Sequence, residues 1–240
     1  MIFDNYCDEI INILTQIKAT QKDKMNAAAR MVANVIKNDG IIYVFGCGHS
    51  HLIGLDCFYR AGGLVNVSAV LDTDLMLHNG AAKSSTMEKM KGITPSVFER
   101  YCITENDMLF VISTSGKNSA PVEMGKTAQE NGVPTVSVVS SAYFGDKKSD
   151  PLLYECSDVF IDNCVPHGDA VMDIDGIDVK MGSVSTAASS YIMQSVLMEG
   201  AGLAAAEGKA PDVYLSGNVE GGGEYNKALI KKYMPRIKHL

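Results

Sequence analysis

The stretch Ile41-Ile42-Tyr43-Val44-Phe45-Gly46-Cys47-Gly48-His49-Ser50 decides how the chain is read. Its apolar run leaves no side for solvent, which predicts a short strand buried on both faces. The run enters a glycine turn, and a helical pattern follows to about Ala61, where Gly62-Gly63 breaks it. The same grammar returns further on. Residues 108–112 are apolar and lead into Ser113-Thr114-Ser115-Gly116-Lys117-Asn118-Ser119. A helix is predicted over 119–131, with Pro121 in its first turn and Gly132 at its end.

Working outward, residues 65–71, 135–140 and 159–161 predict three more strands. Residues 171–173 and 177–179 flank Asp175-Gly176, a hairpin signal. Helices are predicted over 95–102 and 185–207. Residues 1–38 form a helical arm whose Ile2, Tyr6, Ile10, Ile13, Leu14 and Ile17 fall on one apolar stripe. That stripe serves equally as ordinary core or as a dimer contact. Residues 72–94 are polar, irregular and longer than a routine connection, which points to a functional loop or lid. Residues 208–240 are taken as a C-terminal tail. Strands alternating with helices imply a parallel sheet covered on both faces, so the class is α/β and residues 1–240 form one domain.

Composition narrows the function. Apolar residues make up 46% and charged residues 20% of the chain, enough for a sizeable core. A formal net charge of −7 argues against a nucleic-acid surface, which would need clustered Lys and Arg. No stretch approaches the roughly 20 uninterrupted apolar residues of a membrane span. Asp4, Asp8 and Glu9 stand where a secretory signal would be basic and then apolar. The six scattered cysteines (Cys7, Cys47, Cys57, Cys102, Cys156, Cys164) contain no CxxC pair and suit a reducing cytoplasm.

Both glycine-serine turns leave the carboxyl end of a predicted strand and open a helix, the edge where open α/β sheets bind ligands. Glycines let the backbone approach a ligand, and free N–H groups at a helix start attract anions. Serine and threonine hydroxyls add hydrogen bonds to phosphate or sugar oxygens. An acidic protein can hold a phosphate this way, with Lys117 the one basic residue inside either loop apart from histidine. The same residues also serve as plain helix caps. A dinucleotide site is the rival for the first turn, with Asp72 placed to hold a ribose, but His51 occupies the third glycine position. Cys47, His49 and His51 suggest a metal, yet a strand turning into a helix makes those side chains diverge.

Together these units resemble the SIS (sugar isomerase) domain. The resemblance rests on Gly46–Ser50, on Ser113–Ser119, and on Gly182-Ser183-Val184-Ser185-Thr186 ahead of the long helix. Phe58-Tyr59-Arg60-Ala61-Gly62-Gly63, Leu75-Met76-Leu77-His78-Asn79-Gly80 and Asn218-Val219-Glu220-Gly221-Gly222 resemble a bacterial SIS subfamily described as sugar isomerases or phosphoheptose-isomerase-like. It implies a three-layer sandwich around a five-stranded parallel sheet of flavodoxin-like topology. It also implies a phosphate held by Ser113, Thr114, Ser115, Gly116 and Ser119, with the sugar near Gly46, Cys47, Gly48, His49 and Ser50 and near Ser185 and Thr186. A homodimer or homotetramer with the site at the subunit interface is implied as well, with no metal or other cofactor.

Aldose–ketose isomerisation needs a base to move a proton between adjacent carbons and a group to open the ring. The glutamate base of phosphoheptose isomerases aligns with Tyr59 or Arg60, and their histidine on the last long helix has no counterpart in 185–207. These departures weaken the phosphoheptose assignment. The candidate replacements are Asp56, His78 and Glu88, with His167 less supported. An ion pair with Arg60 is the bland alternative for Asp56, and a solvated loop position is that for His78. The expected function is therefore a sugar-phosphate isomerase, with a sugar-phosphate sensor or an amino-sugar-phosphate lyase or etherase as alternatives.

Overall fold

The computed structural model describes residues 1–146 and 151–240. Five strands form the central sheet: β1 (Ile42–Gly46), β2 (Val67–Val70), β3 (Met108–Ile112), β4 (Thr135–Val139) and β5 (Val159–Asp162). All pairings are parallel, in the order β2-β1-β3-β4-β5. Every residue of β1 to β4 is buried, which is why β1 and β3 read as near-continuous apolar runs, while Ser68, Thr135 and Ser137 are polar residues enclosed within β2 and β4. The pleat still sorts them. Ile42, Val44, Met108, Phe110 and Ile112 face one core, and Ile41, Tyr43, Phe45, Leu109 and Val111 face the other.

Eight helices complete the described residues. They are α1 (Ile2–Thr20), α2 (Lys22–Lys37), α3 (His51–Cys57), α4 (Ala81–Met87), α5 (Thr94–Tyr101), α6 (Ser119–Glu130), α7 (Ser185–Ala206) and α8 (Gly222–Tyr233). The first core takes α1, α2, α3 and α7, and the second takes α5 and α6, giving three layers. Helices α2 and α7 approach closely because small residues line the seam: Ala28, Ala29, Ala33, Ala188, Gly200 and Ala204 are all buried. A hairpin of β6 (Ala170–Ile174) and β7 (Ile177–Ser183) turns through Gly176 at φ +81° and stands outside the main sheet.

Three local readings needed adjustment. The N-terminal arm is two helices that break at Gln21, not one. Helix α3 stops at Cys57 because Phe58 is extended and Tyr59 takes φ +50°, after which Gly62–Val65 bonds to Asp212–Tyr214. The 208–240 segment contains α8 and returns to the body of the protein: Ile237 is buried in the second core, and the Arg236 guanidinium lies 3.5 Å from Asp107. Its Gly221-Gly222-Gly223 hid the helix start. Gly221 adopts φ +76° as the N-cap, and Gly222 packs against the Ser216 carbonyl.

Candidate functional site

Strands β1 and β3 are neighbours although β2 lies between them in sequence, which makes their carboxyl edge the topological switch point of the sheet. In the register, Gly46 is paired with Ile112. The two glycine-serine turns therefore leave the sheet side by side, about one strand spacing apart.

Each turn has a local physical cause. A side chain at Gly46 would sit 2.6 Å from the Ser50 backbone, because the chain folds straight back over it. Gly48 adopts φ +54° and donates its N–H to the Leu75 carbonyl at 2.9 Å. A single 3-10 turn (Gly48–Ser50) then leads into α3. In the second turn Gly116 adopts φ +59° and donates its N–H to the Ser113 hydroxyl at 3.3 Å. Ser113 is buried, while Thr114, Ser115 and Ser119 are half-buried. Thr114 Oγ1 accepts from Asn163 Nδ2 at 3.2 Å, and the same amide lies 3.5 Å from the Ser189 hydroxyl on α7. Asn163 thus ties the second turn to the start of α7.

The 72–94 segment is stitched across both turns. It contains a short 3-10 turn (Leu77–Asn79) and α4. Besides the Leu75 bond to Gly48, the buried Ser84 hydroxyl donates to Leu75 O at 2.9 Å. At the other end Glu88 O accepts from Ala120 N at 2.9 Å, and Lys89 O accepts from the Ser119 hydroxyl at 3.0 Å. The Glu123 carboxylate accepts Gly92 N–H at 2.8 and 3.0 Å.

The candidate acid–base residues have unequal surroundings. Asp56 pairs with Arg60, while its second oxygen accepts from Ser190 Oγ at 2.8 Å and Gln194 Nε2 at 3.0 Å. Both oxygens are engaged, and the carboxylate fastens α3 to α7. Exposed His78 lies edge-on to His51, ring centroids 5.1 Å apart. Glu88 is half-buried, and its charge acts on Cys47. Burial first, then Glu88 and Asp72, push the Cys47 thiol well above its usual range, so it is no thiolate nucleophile. Ser185 and Thr186 begin α7, but the Asp169 carboxylate already takes Ser185 N–H at 2.8 Å, Ser185 Oγ at 2.7 Å and Val184 N–H at 3.0 Å. His167 stacks on Tyr143 with centroids 4.3 Å apart, and Lys117 Nζ lies 5.2 Å from the centroid of the same Tyr143 ring.

His51 matters in a way that spacing concealed. It is 2% exposed, and its Nδ1 donates to the Gly48 carbonyl, which leaves Nε2 with the lone pair. That Nε2 is buried without a hydrogen-bond partner among the described residues. Burial, joined by His78 and His49, pulls the imidazole pKa down against the raising effect of the Gly48 bond. Read as a third glycine position or a metal ligand, it gave no sign of this. No group of three or more His, Cys, Asp or Glu among the described residues is arranged to hold a metal. No helix among them is long and apolar enough to cross a membrane.

Residues 5–140 match the family model of the SIS domain. A UPF0309 protein of Geobacillus thermodenitrificans is 40% identical over 243 residues, covering 100% of this chain and 98% of that one. Another from Caldanaerobacter subterraneus is 38% identical, with 100% of each chain covered. Among solved structures, phosphoheptose isomerase GmhA from Neisseria gonorrhoeae is similar at TM-score 0.53 and 17% identity, covering 82% of this chain and 96% of that one. The sugar isomerase domain of an RpiR transcription factor from Sphaerobacter thermophilus is similar at TM-score 0.50 and 16% identity, covering 98% and 96%. At these identities the structural likeness is one of fold.

Proposed function

Since the chain belongs to the SIS-domain family and to the UPF0309 proteins, we propose that it binds a phosphorylated sugar where the β1 and β3 turns meet and isomerises it. The observation that carries this reading is the Gly46–Ile112 register, which brings two donor-rich turns to one switch point. In this reading the phosphate lies against Ser113, Thr114, Ser115 and Ser119 at the start of α6, where backbone N–H groups and hydroxyls stand in for basic side chains. The sugar extends toward Gly48, His49, Ser50 and the start of α7.

An aldose–ketose conversion takes a proton from C2, passes through an enediol and returns a proton to C1, while a hydroxyl proton moves between O1 and O2. We assign this work to His78 and Glu88, on the segment that covers both turns. Asp56 positions α3 against α7, because its oxygens are already engaged. The same chemistry acts on an aldose or an amino-sugar phosphate and calls for no cofactor. The protein works in the cytoplasm as a homo-oligomer whose neighbour closes the site. A non-catalytic sensor is the second reading. Full engagement of Asp56 and Ser185 within the chain favours it, since both are then spent on structure. A lyase or etherase would use the same pocket.

Thermal-shift measurements against a panel of aldose, ketose and amino-sugar phosphates test the binding. A ligand at about one hundred times its Kd stabilises by about 2.7 kcal/mol. Ser113→Ala and Ser115→Ala should abolish the shift while leaving the unliganded melt within about 1 kcal/mol of wild type. Deuterium incorporation at C2 of a stabilising sugar, read by NMR, marks an isomerase; stabilisation without exchange or product marks a sensor. A shift that survives both serine substitutions would sink the proposed site.

A further inference from the structure

Asn163 follows β5 at the carboxyl edge of the sheet and is fully enclosed, at 0% exposure. Its amide has one arrangement that suits every neighbour. Oδ1 accepts the Val165 N–H at 3.3 Å, while Nδ2 faces Thr114 Oγ1 at 3.2 Å and Ser189 Oγ at 3.5 Å. Turning the amide over would set Nδ2 against the Val165 N–H, donor against donor. In a buried place that loss has no remedy from solvent. The nitrogen therefore faces the two hydroxyls, and it can only donate.

That fixes the polarity of Thr114. A hydroxyl has a single proton, and because Thr114 Oγ1 accepts from Asn163, its own O–H is directed elsewhere. Nothing among the described residues takes that proton. Ser113 Oγ is in the same condition, since it accepts the Gly116 N–H at 3.3 Å. Ser119 is the opposite case: its proton goes to Lys89 O at 3.0 Å, which leaves it lone pairs only. Thr114 is half-buried and within reach of a ligand, whereas Asn163 is not.

We infer that Asn163 is a positioning residue for the proposed phosphate site: it holds Thr114 as a donor, so that the second turn selects a doubly ionised, acceptor-only anion. This role rests on the phosphate reading given above. The oxygens of a dianion only accept, and a hydroxyl that turned its lone pairs toward them would repel the ligand. The nearby carboxylates are already committed to backbone donors. Asp162 Oδ1 accepts from Ser141 N at 3.2 Å and from Cys164 N at 2.8 Å, and Asp169 caps α7. The selecting group is therefore a neutral side chain that never meets the ligand.

Asn163→Asp keeps the shape of the amide and makes its donor conditional on pH. While protonated, the carboxyl accepts the Val165 N–H with one oxygen and donates to Thr114 with the other, as the amide does. Once ionised it can only accept, and it draws the Thr114 proton away from the ligand; burial places that ionisation above the ordinary carboxylate range. The probe is sulfate, a dianion throughout, titrated calorimetrically into the full chain. The affinity of Asn163→Asp relative to wild type should be near one at about pH 5 and fall by more than about tenfold by about pH 8. In a Thr114→Val background that fall should be about tenfold smaller, what remains being repulsion by the new carboxylate. A second variant serves if the acidic one melts at high pH. Asn163→Leu, which carries no charge, should weaken sulfate binding when Thr114 is present and leave it unchanged in Thr114→Val. A wild type that binds no sulfate, or one whose binding survives Ser113→Ala, would remove the phosphate site and this role with it. Binding that Ser113→Ala does abolish, with falls equal in the two Thr114 backgrounds or with no fall at all, would overturn the role of Asn163 and leave the site standing.

Discussion

His51 is where residue-scale chemistry departs furthest from what its neighbours in sequence suggest. Its Nδ1–H is spent on the Gly48 carbonyl, and its Nε2 is enclosed with a free lone pair. Burial disfavours the imidazolium, so the folded-state pKa lies below the ordinary value of about 6.5. The unfolded chain then takes up the proton first as pH falls. The stabilising contribution is complete above the unfolded pKa and is lost as pH drops through and below it toward the folded pKa. Urea unfolding of wild type between about pH 7.5 and 5 should therefore show a loss of stability that is shallower in His51→Gln. Equal slopes would mean that His51 protonates as easily inside the protein as outside it. Spacing alone pointed to Cys47, His49 and His51 as a group, but burial separates them: the first and last turn inward and His49 stays exposed.

Among the elements, α7 does most to organise the site. It holds Asp56 through Ser190 and Gln194, reaches the second turn through Ser189 and Asn163, and has its own start capped by Asp169. Its depth in the fold depends on Gly200. A methyl group there would lie 2.4 Å from Val32 Cγ1 and 2.8 Å from the Ala29 carbonyl, so α2 would have to move away. Gly200→Ala improves helix propensity but overpacks this seam. It should destabilise by about 1–3 kcal/mol in denaturant melts, against the gain expected at an exposed helical glycine. A neutral or stabilising effect would show that α2 and α7 can part at no cost. The helix itself was legible in the sequence, over 185–207. The seam was not, because a run rich in alanine and serine shows no preferred face.

On the scale of the whole molecule, the chain closes on itself through its last residues. Ile237 is buried beside the second core, Tyr101 OH lies 2.9 Å from His239 Nε2, and that hydroxyl also donates to Leu71 O at 3.0 Å, just ahead of the 72–94 segment. Ile237→Ala should cost about 2–5 kcal/mol, as for other buried large-to-small changes, with a matching fall in the denaturant midpoint. A loss under about 0.5 kcal/mol, typical of an exposed position, would mean this segment is peripheral. By itself the sequence determined the five strands, the two donor-rich turns, the hairpin at Asp175-Gly176 and most helices, because periodicity, glycine and proline report on conformation within a few residues. Only the tertiary structure decided that β1 and β3 lie together, that Asp56 is spent on residues more than 130 positions away, that Asp169 caps α7, and that 72–94 spans both turns. Those outcomes depend on which distant segments share a buried surface, and no local pattern of residues encodes that choice.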